Sequence, residues 1–386
     1  MKKIISLLIL NIVLLTSVFS GTAFANTNDL VNQTNIEIAL EQKLSYEFGE
    51  YTPEKFNDWI ELYNREKIRY AYLVALYDSK GSVAGFSIVS DINNRVLMTA
   101  VGTERVEFLK KIYELEKTKD VKSILIYEFP NGFYIIEEKD KITQVFMNGE
   151  IIEVEEIFDN EIDEVGFLKM HPNNSKLRSS TVYGSLDDWD ESEFVPVPLV
   201  GGGYSYGGHQ NWLTNEGVST LYANRSCGVT AASNMMQYMS EHVSGKSNLY
   251  TQSTMYGFSD YQKDVYDYLD PAIYGIPGIN TMIDRVKAFA TSEGVDLDEV
   301  LSNETWNETN VRNYIASGLN SENPVLLITW DSIIPDLETH WVTVTKLYGS
   351  YGDTTMVTSN WAEKEEYDFS LWVSAGSMYG GVIYFE

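Results

Sequence analysis

One cysteine in 386 residues, Cys227, stands far downstream of a start that has the marks of a secretory signal peptide. Lys2 and Lys3 open it, the apolar run IISLLILNIVLLTSVF follows, and Ala23 and Ala25 make a small-x-small pattern, so cleavage is expected after Ala25. The run is short for a membrane span, and no cysteine follows the cleavage site to carry a lipid. Outside the cell, disulfides are the usual staple of small folds. One cysteine cannot form an internal staple. The chain must therefore be held by apolar cores, which a chain of this length can bury. The leftover thiol is then a partner for another chain or a reactive group.

The net charge of −28 repels nucleic acid and anionic lipid. Neither is an expected partner, and no membrane contact is expected once the signal peptide, residues 1–25, is lost.

The patterning divides the rest in three. Residues 26–170 read as a small α+β domain. TPEKFNDWIELYNREK predicts a helix, with Thr52 as N-cap and Pro53 in the first turn. RYAYLVALYD, VAGFSIVSD and NRVLMTAVG predict strands, RVEFLKKIYELEKTK an amphipathic helix, and KSILIYEF, GFYIIEE and ITQVFMNG three more strands. Residues 171–204 are rich in Ser, Gly, Asp and Pro and read as an exposed linker with a processing site between Lys176 and Asp190. Its GGGYSYGG run lacks the Lys-Ser/Thr of a phosphate cradle. Residues 205–386 begin with helical patterns and switch to strands after Pro324: VLLITW, HWVTVTKLYG, TTMVTSNW, FSLWV and GGVIYFE. Helices followed by antiparallel strands make this domain α+β as well.

Cys227 opens the helical pattern SCGVTAASNMMQYMS, in which Ala232, Met235, Met236 and Met239 share one face. The thiol lies at the helix start, where the partial positive charge favours a thiolate. A core-filling cysteine would occupy the Ala232 or Met236 position instead. A thiol nucleophile needs a base. His171 and His209 fall in or beside the linker, and His242 ends the cysteine's own helix, about 22 Å away at ~1.5 Å per residue. His340, at the start of the HWVTVTKLYG strand, is left as the base. Asn360, at the end of the next strand beside Trp361, can orient its imidazole; Asp353, in an expected turn, and Asp368, in the acidic stretch EKEEYD read as a solvated loop, are the competitors. One cysteine and scattered histidines offer no soft metal site, and no cofactor is expected.

The order of these motifs resembles that of papain-like cysteine peptidases. SCGVTAASNMMQYM resembles the nucleophile helix of the streptopain and bacteriocin-processing groups, and ENPVLLITW with HWVTVTKLYG resembles their histidine strand. Ser226 stands where those groups often carry Gly or Tyr before the cysteine. GFSIVSDINNRVLMTAVG resembles the core of streptopain-type propeptides. The resemblance implies a secreted peptidase made as a zymogen, inhibited by its own propeptide and acting on protein or peptide through Cys227, His340 and Asn360. It implies an oxyanion-hole glutamine upstream, which Gln210 fits loosely; an exposed loop glutamine is the competing reading. Two other functions remain open at this stage: a cell-wall amidase of papain-like fold and a non-catalytic binding module.

Overall fold

The period-two runs assemble into one sheet. The structure is a computed structural model. It describes residues 34–44 (less 42), 51–117 (less 56, 57 and 65), 124–128, 132–136, 142–145, 151–154, 181–186, 194–199, 203–250, 257–302 (less 270 and 272–274), 305–330 and 339–386 (less 351 and 376–379).

The amino-terminal part holds β1 (Thr52–Pro53), β2 (Ile60–Tyr63), β3 (Arg69–Tyr77), β4 (Val83–Ser90), β5 (Val96–Val101), helix α1 (Thr103–Lys117), β6 (Ile124–Glu128), β7 (Gly132–Ile136), β8 (Ile142–Val145) and β9 (Ile151–Val154). The carboxy-terminal part holds β10 (Thr181–Ser185), α2 (Cys227–His242), α3 (Phe258–Leu269), α4 (Ile279–Ser292), β11 (Glu299–Val300), α5 (Glu308–Asn320), β12 (Val325–Trp330), β13 (Thr339–Ser350), β14 (Asp353–Asn360), β15 (Glu363–Asp368), α6 (Phe369–Ala375) and β16 (Gly380–Phe385). The fold is α+β, as the patterning predicts. The strands run β11-β16-β12-β13-β14-β15-β5-β4-β3-β2-β6-β7-β8-β9, with β1 beside β3 and β10 beside β13.

The two parts meet inside this sheet. β15 pairs antiparallel with β5, so Glu365 lies opposite Ala100 and Tyr367 opposite Met98. Two arginines of the amino-terminal part cross the seam. Arg95 reaches Asp368 through Nε at 2.7 Å and Nη2 at 2.6 Å. Arg105, in α1, pairs with Glu365, and both are fully buried. One continuous apolar cluster spans both parts, from Phe86 and Phe108 to Met236 and Val344.

Four local expectations differ from the structure. Residues 60–63 form a strand, not part of a helix, because Ile60 and Leu62 are buried while Glu61 faces out, a period of two. Thr52–Pro53 is a short strand on β3. FSLWV is helical: the Asp368 carboxylate accepts the Leu371 N–H at 3.0 Å and so caps α6. The acidic EKEEYD is a strand, its Glu365 and Asp368 carboxylates buried against arginines that lie far away in the chain.

The stretch read as a linker is also partly sheet. Thr181–Ser185 pairs with the end of β13, Thr181 opposite Gly349 and Ser185 opposite Lys346. That end is about 20 Å from His340 at ~3.3 Å per residue, so β10 does not cross the start of the strand. Asn320 Nδ2 donates to the Tyr183 carbonyl at 3.0 Å, and the Arg312 guanidinium sits 4.4 Å over the Tyr183 ring. Phe194 and Tyr206 pack on each other, and Phe194 also stacks on Tyr238 of α2. The carboxy-terminal unit therefore includes residues before 205. Residues 171–180 lie outside the described residues.

Gly184 tests this packing. A Cβ there would come within 2.8 Å of the Ala316 backbone in α5. Gly184→Val is expected to cost about 1–3 kcal/mol by overpacking. Val182→Ala, at an exposed neighbour, is expected to cost less than about 0.5 kcal/mol. Urea unfolding of the two variants measures the difference, and equal losses would show that β10 does not pack on α5.

Candidate active site

Helix α2 is buried from Cys227 to Met239. Its small residues allow close approach to β13. A Cβ on Gly228 would lie 3.0 Å from Trp341 Cδ1, and Thr343 Oγ1 donates to the Ala231 carbonyl at 3.3 Å. Cys227 is the first helical residue, as its sequence context predicts. Its sulfur accepts the Trp341 backbone N–H at 3.5 Å. The residue beside His340 thus touches the thiol directly.

His340 lies in β13 opposite Thr329 of β12. Its Nε2 is 2.7 Å from Asn360 Oδ1. The Asn360 amide nitrogen donates to Glu365 Oε2 at 2.8 Å and contacts the Tyr367 hydroxyl at 3.3 Å. Those bonds fix the amide's orientation, so its oxygen faces the imidazole and Nε2 carries the hydrogen. Nδ1 is left as the basic nitrogen. The Tyr367 hydroxyl donates to the same Glu365 carboxylate. The two competing carboxylates are elsewhere: Asp353 begins β14 at the opposite end from Asn360, and Asp368 is bound to Arg95.

Asn360 and Glu363 pair across a two-residue turn. Trp361 and Ala362, its central residues, have φ of 49° and 66°. Positive φ at both positions is the hairpin geometry that favours Asn-Gly, and each side chain costs roughly 1–2 kcal/mol there. The turn is held from outside. Trp361 lies 4.7 Å from the His340 ring, and the Tyr206 N–H donates to the Ala362 carbonyl at 2.7 Å.

Gln210 opens a short 3-10 turn, Gln210–Thr214, that His209 caps by accepting the Asn211 N–H. Gln210 is buried, not exposed, and its Nε2 donates to the Asn224 carbonyl at 2.8 Å. Gln210, Cys227, His340, Asn360 and Trp361 all line one cavity, with Asn234 and Ser359 in its wall. The cavity holds about 10 Å³, room for a single water-sized sphere. Asn234 was not anticipated. Its Oδ1 accepts the Gly208 N–H at 2.8 Å, and its Nδ2 contacts Ser359 Oγ at 3.2 Å. It ties the Gln210 loop to the strand of Asn360. Its position seven residues after Cys227 puts it two turns along the same helical face, a signal that was present in the sequence. His242 stacks on Tyr238 at the far end of α2. His171 lies outside the described residues.

Burial pushes the Cys227 thiol up to about 11, against the Trp341, Gly228 and Cys227 N–H groups, which favour the thiolate. The expected lowering at the helix start is therefore outweighed: the cysteine is largely buried, and the charged form loses solvation. Burial also lowers the His340 pKa, opposed by the Asn360 hydrogen bond and Glu365 and assisted by Arg105. At neutral pH this form holds a neutral thiol beside a neutral imidazole. No group of three or more His, Cys, Asp or Glu side chains is gathered as a metal site among the described residues. Nor is any of their helices long and apolar enough to cross a membrane.

No family model matches the chain, and no curated protein matches it.

The electrostatics predict how the thiol reacts in the full-length chain. Iodoacetamide labelling of Cys227, followed by mass spectrometry, is expected to accelerate about tenfold per pH unit above pH 7 toward the thiol's value of about 11. A rate already level between about pH 6 and 8 would show a thiolate in this form.

Proposed function

We propose that the protein is an exported cysteine peptidase of papain-like fold, made as a precursor, that hydrolyses peptide bonds through Cys227, His340 and Asn360. One observation carries this reading. A helix-start thiol and an imidazole bonded to an asparagine at 2.7 Å line the same cavity. The signal-peptide pattern and the order of motifs support it.

The chemistry follows from the hydrogen-bond directions. Nε2–H of His340 is held by Asn360, so Nδ1 takes the Cys227 proton. The sulfur attacks the scissile carbonyl carbon. The Cys227 N–H and Gln210 Nε2 stabilise the oxyanion; an amide nitrogen carries two hydrogens, and only one is used on Asn224. His340 returns the proton to the leaving amine, which departs as the thioester forms. Water, deprotonated by His340, then cleaves the thioester and frees the acid product. The narrow cavity, with room for one water-sized sphere, suits a precursor, in which peptide entry waits on rearrangement of the cleft. Proteolysis between Lys176 and Asp190 is the proposed trigger, and inhibition by the chain's own amino-terminal part is the proposed brake.

Casein hydrolysis by the exported protein tests the reading. Cys227→Ser and His340→Ala are each expected to remove at least about a thousandfold of the rate, because the two groups act as a unit. Asn360→Ala loses one hydrogen bond to a group that becomes charged, and is expected to cost on the order of 10–100-fold. Release of fragments from purified cell wall with intact casein would instead identify an amidase. A Cys227→Ser protein as active as the native one would end the catalytic reading.

A further inference from the structure

The orienting asparagine is held by a residue from the other part of the chain. Arg105 belongs to α1, 255 positions before Asn360, yet its Nη2 approaches the Asn360 carbonyl oxygen at 3.4 Å. Its guanidinium pairs with Glu365, the carboxylate that fixes the Asn360 amide. It also lies 5.2 Å from the centre of the Trp361 ring, the ring that packs on His340. One side chain therefore touches the carboxylate, the backbone and the aromatic ring that together set where Asn360 and His340 sit. The turn it clamps has positive φ at two non-glycine residues and needs outside support.

We propose that Arg105 is a positioning residue for His340 and Asn360 in the full-length chain, so that the amino-terminal domain, the proposed brake on peptide entry, also holds these two side chains in place in the precursor. The proposal rests on the reading of Cys227, His340 and Asn360 as catalytic, but its test needs no substrate. Arg95 provides the contrast. It makes the other buried arginine–carboxylate contact across the same seam, to Asp368, and reaches the Gly352 carbonyl at 2.9 Å. It touches neither His340 nor Asn360. A docking role is common to both arginines; a positioning role belongs to Arg105 alone.

Among the described residues, the charged and titratable groups around His340 are Cys227 from α2, Glu365 and the neutral Tyr367 phenol from β15, and Arg105 from α1. Arg105 favours the neutral imidazole and Glu365 the charged one. Removing each should move the histidine in opposite directions.

The experiment is a pH titration of the full-length protein by NMR, with histidines labelled at Cε1. The His340 signal is identified by its loss in His340→Gln. Arg105→Met is expected to raise the His340 midpoint by about half a pH unit or more, and Glu365→Gln to lower it. Arg105→Lys keeps the charge and should fall between Arg105→Met and the native protein. Arg95→Met should leave the midpoint at its native value. Arg105→Met leaves a lone buried carboxylate and can fail to fold. Glu365→Gln leaves a lone buried guanidinium in the same way; Arg105→Lys keeps the charge pair and the double variant Arg105→Met/Glu365→Gln removes both charges, and the double variant should return toward the native midpoint. A native midpoint in folded Arg105→Met or in Glu365→Gln would overturn the proposal. So would an Arg95→Met shift as large as that of Arg105→Met. If casein hydrolysis proves absent while the Arg105 shift persists, the peptidase reading fails and the coupling of Arg105 to His340 stands.

Discussion

The Asn360 side chain is the point at which the site is fixed. Its oxygen takes the His340 Nε2–H, and its nitrogen is committed to Glu365 and Tyr367. An amide free to rotate could present either end to the imidazole and so select either tautomer. With the nitrogen committed, only one orientation remains, and Nδ1 is the nitrogen left for the thiol. That commitment depends on the Glu365 carboxylate, which is fully buried. Arg105 supplies the compensating charge from the amino-terminal domain. A buried pair of this kind contributes little net stability, but losing one partner is costly, on the order of 3–5 kcal/mol. The β5–β15 seam, the buried arginines and the active-site hydrogen bonds are therefore one connected arrangement.

Burial works against the chemistry in the form described. It raises the thiol pKa and lowers that of the imidazole, so each group favours its neutral state. An open cleft that admitted water and substrate would reverse both effects, since the backbone donors at the helix start already favour the thiolate. The narrow cavity and the two shifts both follow from close packing around the thiol and the imidazole. This gives the precursor reading a physical basis that does not require the linker to cover the cleft.

The sequence revealed what depends on local pattern. The Cys227 helix, the alternation of HWVTVTKLYG and the elimination of the other histidines were enough to select Cys227, His340 and Asn360. The structure gathers these three around one cavity, with Gln210 in its wall. What stayed hidden depends on long-range charge. EKEEYD reads as a solvated loop because nothing nearby neutralises it; its partners, Arg95 and Arg105, are more than 250 residues away in sequence. The 60–63 strand was masked by a good helix start at Thr52 and Pro53, and tertiary pairing overrode that local signal. FSLWV has strand-like composition, but Asp368 caps it as a helix. Thr181–Ser185 looked like a linker because a short edge strand carries little pattern of its own.

In the proposed mechanism Cys227 attacks a carbonyl with His340 as its base. This step is tested most directly by trapping the acyl group. Purified protein is mixed with the p-nitrophenyl ester of an N-blocked amino acid, quenched in acid, digested, and its peptides weighed. The account predicts a thioester on the peptide that contains Cys227 in the native protein, and none in His340→Ala at the same time point. Hydrolysis that proceeds with no acyl group on Cys227, or equal acylation with and without His340, would contradict it.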